Sequence, residues 1–284
     1  MTLSAQEFAY VSDLVRRSSA IVLESGKEYL VEARLLPLAR QAGVPTVSEY
    51  VMRAQHRPEP DTHEKIVDAL TTNETSWFRD GEPFQALTAS VLPDLMPTRS
   101  GNRTLRVWSA ACSSGQEPYS LAMVLHENLP AGWTYEITAT DISQEMLARA
   151  EAGKFTQLEV NRGLPANMLV RHFERDGTHW RVATSLRNHI TFKRLNLAAP
   201  LPSLPQFDVV FLRNVLIYFD VETKREVLSR ASAVLRPDGW LFLGSAETTI
   251  GIDDRFERIA AGRSSAYRLR GAKTTPPGGA LGKG

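Results

Sequence analysis

The chain has 284 residues, with 33 Lys+Arg against 32 Asp+Glu, a balance that excludes capture by nucleic acid or anionic lipid through bulk charge. Apolar residues make up 43% and charged residues 23%, which excludes a disordered chain and fits one or two domains with a buried core. The single cysteine, Cys112, excludes an intrachain disulfide, and no apolar run nears the ~18 residues that span a bilayer; with no signal-peptide pattern at the start, the expectation is a cytoplasmic protein without membrane insertion.

The first ~90 residues read as helices only. Phe8, Val11, Leu14 and Val15 form one apolar stripe, Val31, Leu35 and Leu38 a second, and Ile66, Val67 and Leu70 part of a third. Arg57-Pro58-Glu59-Pro60-Asp61 separates helical segments, because proline disfavours helix at itself and just before. Near Leu105 the pattern changes. Leu105–Trp108 reads as a strand and Ser109–Gly115 as a small-residue loop, followed by a helix from Glu117 to about Leu129. A strand Tyr135–Thr140 ends at Asp141, and Ser143 caps a helix with Met146, Leu147 and Ala150 inward. Strand, glycine-containing loop, helix, strand, acid, helix opens a doubly wound α/β sheet.

From Phe155 to Phe192 a small β-containing insertion is expected, with Asp176-Gly177 as a hairpin turn and Trp180–Val182 as its return strand. The wound sheet resumes with the buried strand Phe207–Leu212. A helix over roughly Glu222–Leu235 follows, then Pro237-Asp238-Gly239 as a turn into the strand Trp240–Leu243. The tail is rich in glycine and proline and is expected to be disordered. The division that results is a helical domain over residues 1–80, an α/β domain over 81–270 with the insertion at 155–192, and a tail over 271–284.

Four segments carry residues fit for chemistry. The loop before Glu117 has one glycine, Gly115, where a dinucleotide fold wants three, which disfavours pyrophosphate; a plain tight turn, a carboxylate-bearing ligand, or a ligand amino group held by Glu117 all fit. Asp141, at the end of a strand, either accepts both hydroxyls of a ribose or caps the next helix. Thr71–Asp80 is either an inter-domain linker anchored by Trp77 and Phe78, or a lid placing Asn73, Thr75 and Arg79 over a ligand, with Arg79 as a planar fork for a carboxylate. Arg213-Asn214-Val215-Leu216-Ile217-Tyr218 follows a buried strand, where wound sheets bind ligands; Asn214 and Tyr218 either face the ligand or pack. The six histidines show no metal-ligand spacing, so no metal is expected, and Cys112 reads as a packing residue because no histidine lies near it.

Together these segments resemble the CheR chemotaxis methyltransferases. Thr71–Arg79, Arg106–Ser120, Thr140-Asp141-Ile142, Asn196-Leu197 and Arg213–Phe219 look like that family's motifs in order, and the resemblance covers roughly Phe8 to Leu269. It implies a Rossmann-like methyltransferase sheet with an N-terminal all-α domain and a small β-subdomain insertion. By similarity, S-adenosylmethionine would be held by Asn73, Thr75, Arg79, Glu117, Asp141, Asn196, Leu197, Arg213 and Asn214, with Arg79 and Tyr218 beside the transferred methyl. The implied reaction is methyl transfer to glutamate carboxylates on the cytoplasmic methylation helices of chemoreceptors, giving glutamate methyl esters and S-adenosylhomocysteine, with no nucleic-acid partner. Family members meet the receptor through a basic helix, and Arg34 and Arg40 fall at matching positions. Pro37 is expected to interrupt that helix, and residues 1–70 hold 8 Lys/Arg against 10 Asp/Glu, so any basic patch is local. The short loop at Arg175-Asp176-Gly177-Thr178 implies weak or absent tethering to a receptor pentapeptide. The alternatives are a related methyltransferase acting on another protein or a small molecule, and a non-catalytic module that binds the donor or its product.

Overall fold

The computed structural model describes residues 3–261 and 264–271; apart from Gly271, the expected disordered tail lies outside the described residues. Four helices come first: α1 (Ala5–Ser19), α2 (Glu28–Gln41), α3 (Val47–His56) and α4 (Pro60–Leu70). The start of α1 is fixed by a reciprocal cap, in which the Ser4 hydroxyl accepts the Glu7 amide and the Glu7 carboxylate accepts the Ser4 amide at 2.7 Å. Pro60 begins α4, where its missing N–H would have no partner anyway. The apolar stripes of the four helices close on one another, with Val11, Val15, Leu35, Val51 and Ile66 wholly buried. Pro37 does not interrupt α2, contrary to expectation. Its ring faces outward and the helix runs on to Gln41, because burial of Val31, Leu35 and Ala39 outweighs one lost amide bond.

A connector, residues 71–81, leads into α5 (Glu82–Ala86), a π turn (Leu87–Val91) and α6 (Leu92–Thr98). Then come β1 (Thr104–Ala110), α7 (Gln116–Asn128), β2 (Thr134–Asp141) and α8 (Gln144–Ala152). A smaller unit follows, built of β3 (Lys154–Thr156), α9 (Gln157–Val160), α10 (Ala166–His172), β4 (Phe173–Asp176), β5 (His179–Val182) and α11 (Thr184–Arg187). The chain continues through β6 (Ile190–Arg194), β7 (Phe207–Leu212), a 3-10 turn (Leu216–Tyr218), α12 (Val221–Val234), β8 (Leu235–Leu243), β9 (Phe256–Ala261) and β10 (Ser264–Leu269).

Among the described residues the main sheet has the order β6-β2-β1-β7-β8-β10-β9. β6, β2, β1, β7 and β8 run parallel, β10 is antiparallel to β8, and β9 is antiparallel to β10. All six residues of β7 are buried, as expected of a central parallel strand covered on both faces. The order reverses between β1 and β7, and the carboxyl ends of those strands flank the resulting crevice.

Two boundaries differ from the sequence reading. Ile190–Phe192, expected within the insertion, belong to β6 of the main sheet, paired with β2. Pro237-Asp238-Gly239 is not a turn before a strand. β8 already pairs with β7 at Leu235, then again from Trp240, and the residues between bulge outward, which is how a central strand tolerates proline. The second sheet, in the order β3-β5-β4, carries the anticipated hairpin, with Gly177-Thr178 at its tip.

Trp77 pins the connector to this smaller unit. Its indole is 1% exposed and donates to the Glu159 carbonyl at 3.1 Å, and its amide donates to the Arg162 carbonyl at 3.1 Å. Its ring meets Phe155 and Phe173 edge-on at 4.8 and 5.4 Å. Gly163 makes this approach possible: at φ +99° it faces the Trp77 carbonyl so closely that a Cβ would lie 2.4 Å from the oxygen.

Candidate active site

One cleft opens at the reversal of strand order. The loop after β1 supplies Ala111, Ser113 and Glu117, the end of β2 supplies Asp141 and Ile142, and the loop after β7 supplies Arg213, Asn214 and Tyr218. The stretch after β6 adds Leu195, Asn196 and Leu197. The remaining wall comes from the end of α1 and just beyond it, through Ser19 and Ile21, and from the connector, through Asn73, Thr75 and Arg79. All the candidate ligand and reaction residues read from the sequence line this one cleft. Arg34 and Arg40, on α2, do not.

The two acids are held as acceptors. Asp141 is 6% exposed; its Oδ2 accepts the Ser113 amide at 2.7 Å and its Oδ1 the Ser143 amide at 2.9 Å. Glu117 accepts the Ser109 hydroxyl at 2.8 Å and Arg213 Nη1 at 3.1 Å. A carboxylate has about four acceptor positions, so each acid keeps capacity for a ligand. Burial pushes both carboxyls above their ordinary range, opposed at Asp141 by the backbone amides and at Glu117 by Arg213 and Ser109.

Arg213 organises rather than probes. Its side chain is 1% exposed and is spent on Glu117, on Asp80 at 2.6 Å and on the Arg79 carbonyl at 2.9 Å. Asn196 is likewise engaged: its Nδ2 donates to the Ser18 carbonyl at 2.8 Å and its Oδ1 accepts the Ala198 amide. The Ser113 hydroxyl donates to the Asn73 carbonyl at 2.7 Å and ties the connector to the loop after β1. Phe78, Asp80, Ala111, Ser113 and Asn214 all have φ between 46° and 66°. Strained backbone thus gathers in the three loops around the cleft, as it does where side chains must be aimed.

Residues 73–264 match the family described as "CheR methyltransferase, SAM binding domain", and residues 6–71 match "CheR methyltransferase, all-alpha domain". The chain belongs to the CheR methyltransferase family. It is 42% identical over 278 residues to chemotaxis protein methyltransferase 1 of Pseudomonas aeruginosa, covering 95% of this chain and 100% of that one. It is 38% identical to a chemotaxis protein methyltransferase of Pseudomonas putida, with the same coverage. The chemotaxis protein methyltransferase of Escherichia coli is 36% identical over 264 residues, covering 90% of this chain and 89% of that one. The chain is therefore an S-adenosylmethionine-dependent methyltransferase of chemotaxis. Among the described residues no helix is long and apolar enough to cross a membrane.

The CheR cleft fits that donor on its own terms. Two buried acids with spare acceptor positions stand in it, one at the end of β2 where wound sheets take ribose hydroxyls, and the other raised by burial in a way a cationic amino group would relieve. This gives a pH expectation. A raised Glu117 carboxyl is partly protonated at pH values where an ordinary glutamate (~4.3) is ionised, and only the ionised form attracts an ammonium. Affinity for S-adenosylhomocysteine is therefore expected to fall as pH drops toward that range, with proton release on binding. Calorimetry in buffers of different ionisation enthalpy reads both, and pH-independent affinity would contradict it.

Cys112 lines no part of the cleft. It is buried against Ala139 and Leu147, and its thiol is pushed well above the ordinary range by burial and by the neighbouring Asp141 and Glu117. The folded protein is expected not to react with an aromatic disulfide reagent at neutral pH, and the denatured protein to react with one equivalent.

Sequence reasoning missed several supports. Ser109 and Ser113 sit in the loop already singled out, and their hydroxyls were not given partners. Asp80 had no signal beyond its place beside Arg79. Glu247 lies just beyond the carboxyl end of β8, so the rule that pointed to Asn214 after β7 applies to it equally.

Proposed function

We propose that this enzyme esterifies glutamate side chains on chemoreceptors, using Asn73, Thr75, Arg79, Glu117, Asp141, Leu197 and Asn214 to hold the donor, with Arg213 and Asn196 bracing the cleft walls around it. S-adenosylmethionine supplies an electrophilic methyl group on a sulfonium centre. Asp141 takes the ribose hydroxyls, and Glu117, steadied by Arg213 and Ser109, takes the amino group. Arg79 and Tyr218 orient the incoming carboxylate. A glutamate is ionised near neutral pH, so no base has to remove a proton, and the residues' work is alignment and exclusion of water. The observation that carries the reading is the gathering of Arg79, Glu117, Asp141 and Tyr218 in a single cleft.

Receptor docking through α2 rests more on Arg40 than on Arg34. Arg40 is exposed, whereas the Arg34 guanidinium donates to the Leu70 and Thr71 carbonyls at 2.9 and 3.1 Å, where it holds the end of α4. The two-residue tip of the β4–β5 hairpin supports a receptor bound without a pentapeptide tether; micromolar binding of such a peptide would contradict this.

The test is transfer of labelled methyl to cytoplasmic receptor fragments. Incorporation is expected to disappear when candidate glutamates are replaced by glutamine, and the label is expected to leave as methanol in alkali, as an ester must. Label that survives alkali, or none on any receptor fragment, would overturn the reading.

A further inference from the structure

β8 ends at Leu243, and the next four residues form a tight turn closed by the Glu247 amide donating to the Gly244 carbonyl at 2.9 Å. This turn delivers the Glu247 carboxylate to the end of β7. There Oε2 accepts the amides of Asn214 and Gly244, both at 2.7 Å. Oε1 accepts those of Leu216 at 2.7 Å, Val215 at 2.9 Å and Ile217 at 3.3 Å. Four consecutive amides converging on one point make an anion nest, and here the protein supplies the anion itself. Three of them open the 3-10 turn, where backbone donors have no partner within the turn.

The clamped segment is also strained. Asn214 has φ 58°, a left-handed backbone that asparagine tolerates better than most side chains but that still needs the surrounding contacts to fix it. Gly244 permits the close packing around it: a Cβ there would lie 2.8 Å from Asn214 Nδ2 and 2.7 Å from Glu247 Oε2. Four residues beyond Asn214 stands Tyr218, on the turn whose first amides Glu247 holds. Asn214 and Tyr218 line the cleft, and Glu247 does not.

We propose that Glu247 is a positioning residue for methyl transfer, its carboxylate holding the turn from Asn214 to Tyr218 in the shape that presents both side chains to the reacting groups. The proposal rests on the methyl-transfer reading above.

Glu247→Gln keeps the side chain's size but replaces one oxygen with a donor. Both oxygens face backbone donors, so neither orientation of the amide satisfies the nest. The expected result is a fall in kcat of about 100-fold, the scale of an ångström's misplacement. The dissociation constant for S-adenosylhomocysteine is expected to rise by about tenfold at most, far less than kcat falls, because Asn214 loses its support while Glu117 and Asp141 keep theirs. In Glu247→Ala, added formate is expected to refill the nest and restore part of kcat. Independently of any acceptor, hydrogen exchange at the amides of 214–217 is expected to rise more than about tenfold in Glu247→Gln, with β7 and β8 still protected. Unchanged exchange at those four amides would overturn the proposal, as would collapse of product affinity and folding stability together with kcat. Failure of the unmodified enzyme to methylate receptor fragments would instead strike the proposed substrate, and the exchange measurement would still decide whether Glu247 holds the turn.

Discussion

Asp208→Ala is expected to lower folding stability by about 3–5 kcal/mol, the range for removing one partner of a buried ion pair. Asp208 is 1% exposed and lies near the start of β7. Its carboxylate accepts Arg99 Nε and the Arg106 amide, the latter at 2.7 Å, and Arg236 approaches within 3.2 Å. Arg99, just past the end of α6, also grips Asp238 in the bulge of β8 with both terminal nitrogens, at 2.8 and 2.6 Å. Asp94 of α6 accepts the Trp240 indole at 3.0 Å and pairs with Arg268 of β10. The network therefore fastens α6 across three strands, and alanine leaves a buried guanidinium half-paired and an amide orphaned. Arg99 holds the Asp238 carboxyl below its ordinary range. That contribution is intact above the unfolded value (~3.9) and is lost only as pH falls through the depressed one. Urea unfolding measures the effect; a loss below about 1 kcal/mol, the scale of an exposed pair, would refute it. Product affinity of the folded variant is expected to be unchanged, because five residues of strand, about 16 Å, separate Asp208 from the cleft.

Glu117→Gln is expected to raise the dissociation constant of S-adenosylhomocysteine by about 100-fold or more, about 3 kcal/mol. The substitution is nearly isosteric, so what disappears is the charge proposed to meet the ligand's ammonium, on a side chain only 13% exposed. Arg213 keeps Asp80 as a partner, which limits damage to the fold. Adenosine, which lacks the amino-acid end, separates the two acids: Glu117→Gln should leave its binding nearly intact, and Asp141→Asn should weaken adenosine and S-adenosylhomocysteine alike. Equal weakening of both ligands by Glu117→Gln would mean that Glu117 shapes the cleft rather than meeting the ammonium.

The sequence is most legible where chemistry and strand ends coincide. Asp141 is identifiable because it ends a strand and Glu117 because it opens the helix after a small-residue loop, and the order of the parallel sheet then brings both to one crevice. Trp77 and Asn73 show why the connector admits two readings: Trp77 anchors it in a core of aromatic rings, while Asn73, four residues earlier, lines the cleft. Proline and glycine misled twice, at Pro37 and at Pro237-Asp238-Gly239, because burial of flanking residues in a helix or a central strand overrides local preference. Ile190–Phe192 were assigned to the insertion because a short apolar run does not say which sheet it joins. The grip of Glu247 on residues 214–217 spans thirty positions along the chain, and no local pattern encodes it.

The cleft has walls from two separately cored halves, which meet where Asn196 donates to the Ser18 carbonyl and the Val22 amide donates to the Tyr218 carbonyl. A nucleoside that bridged the two would couple their melting by mass action: at a hundredfold excess over its dissociation constant it would add about 2.7 kcal/mol to any opening that separates them. The helical half supplies Ser19 and Ile21 to the cleft, and cutting the chain near residue 72 removes them along with a candidate receptor-facing helix, while Asn73, Thr75 and Arg79 stay behind.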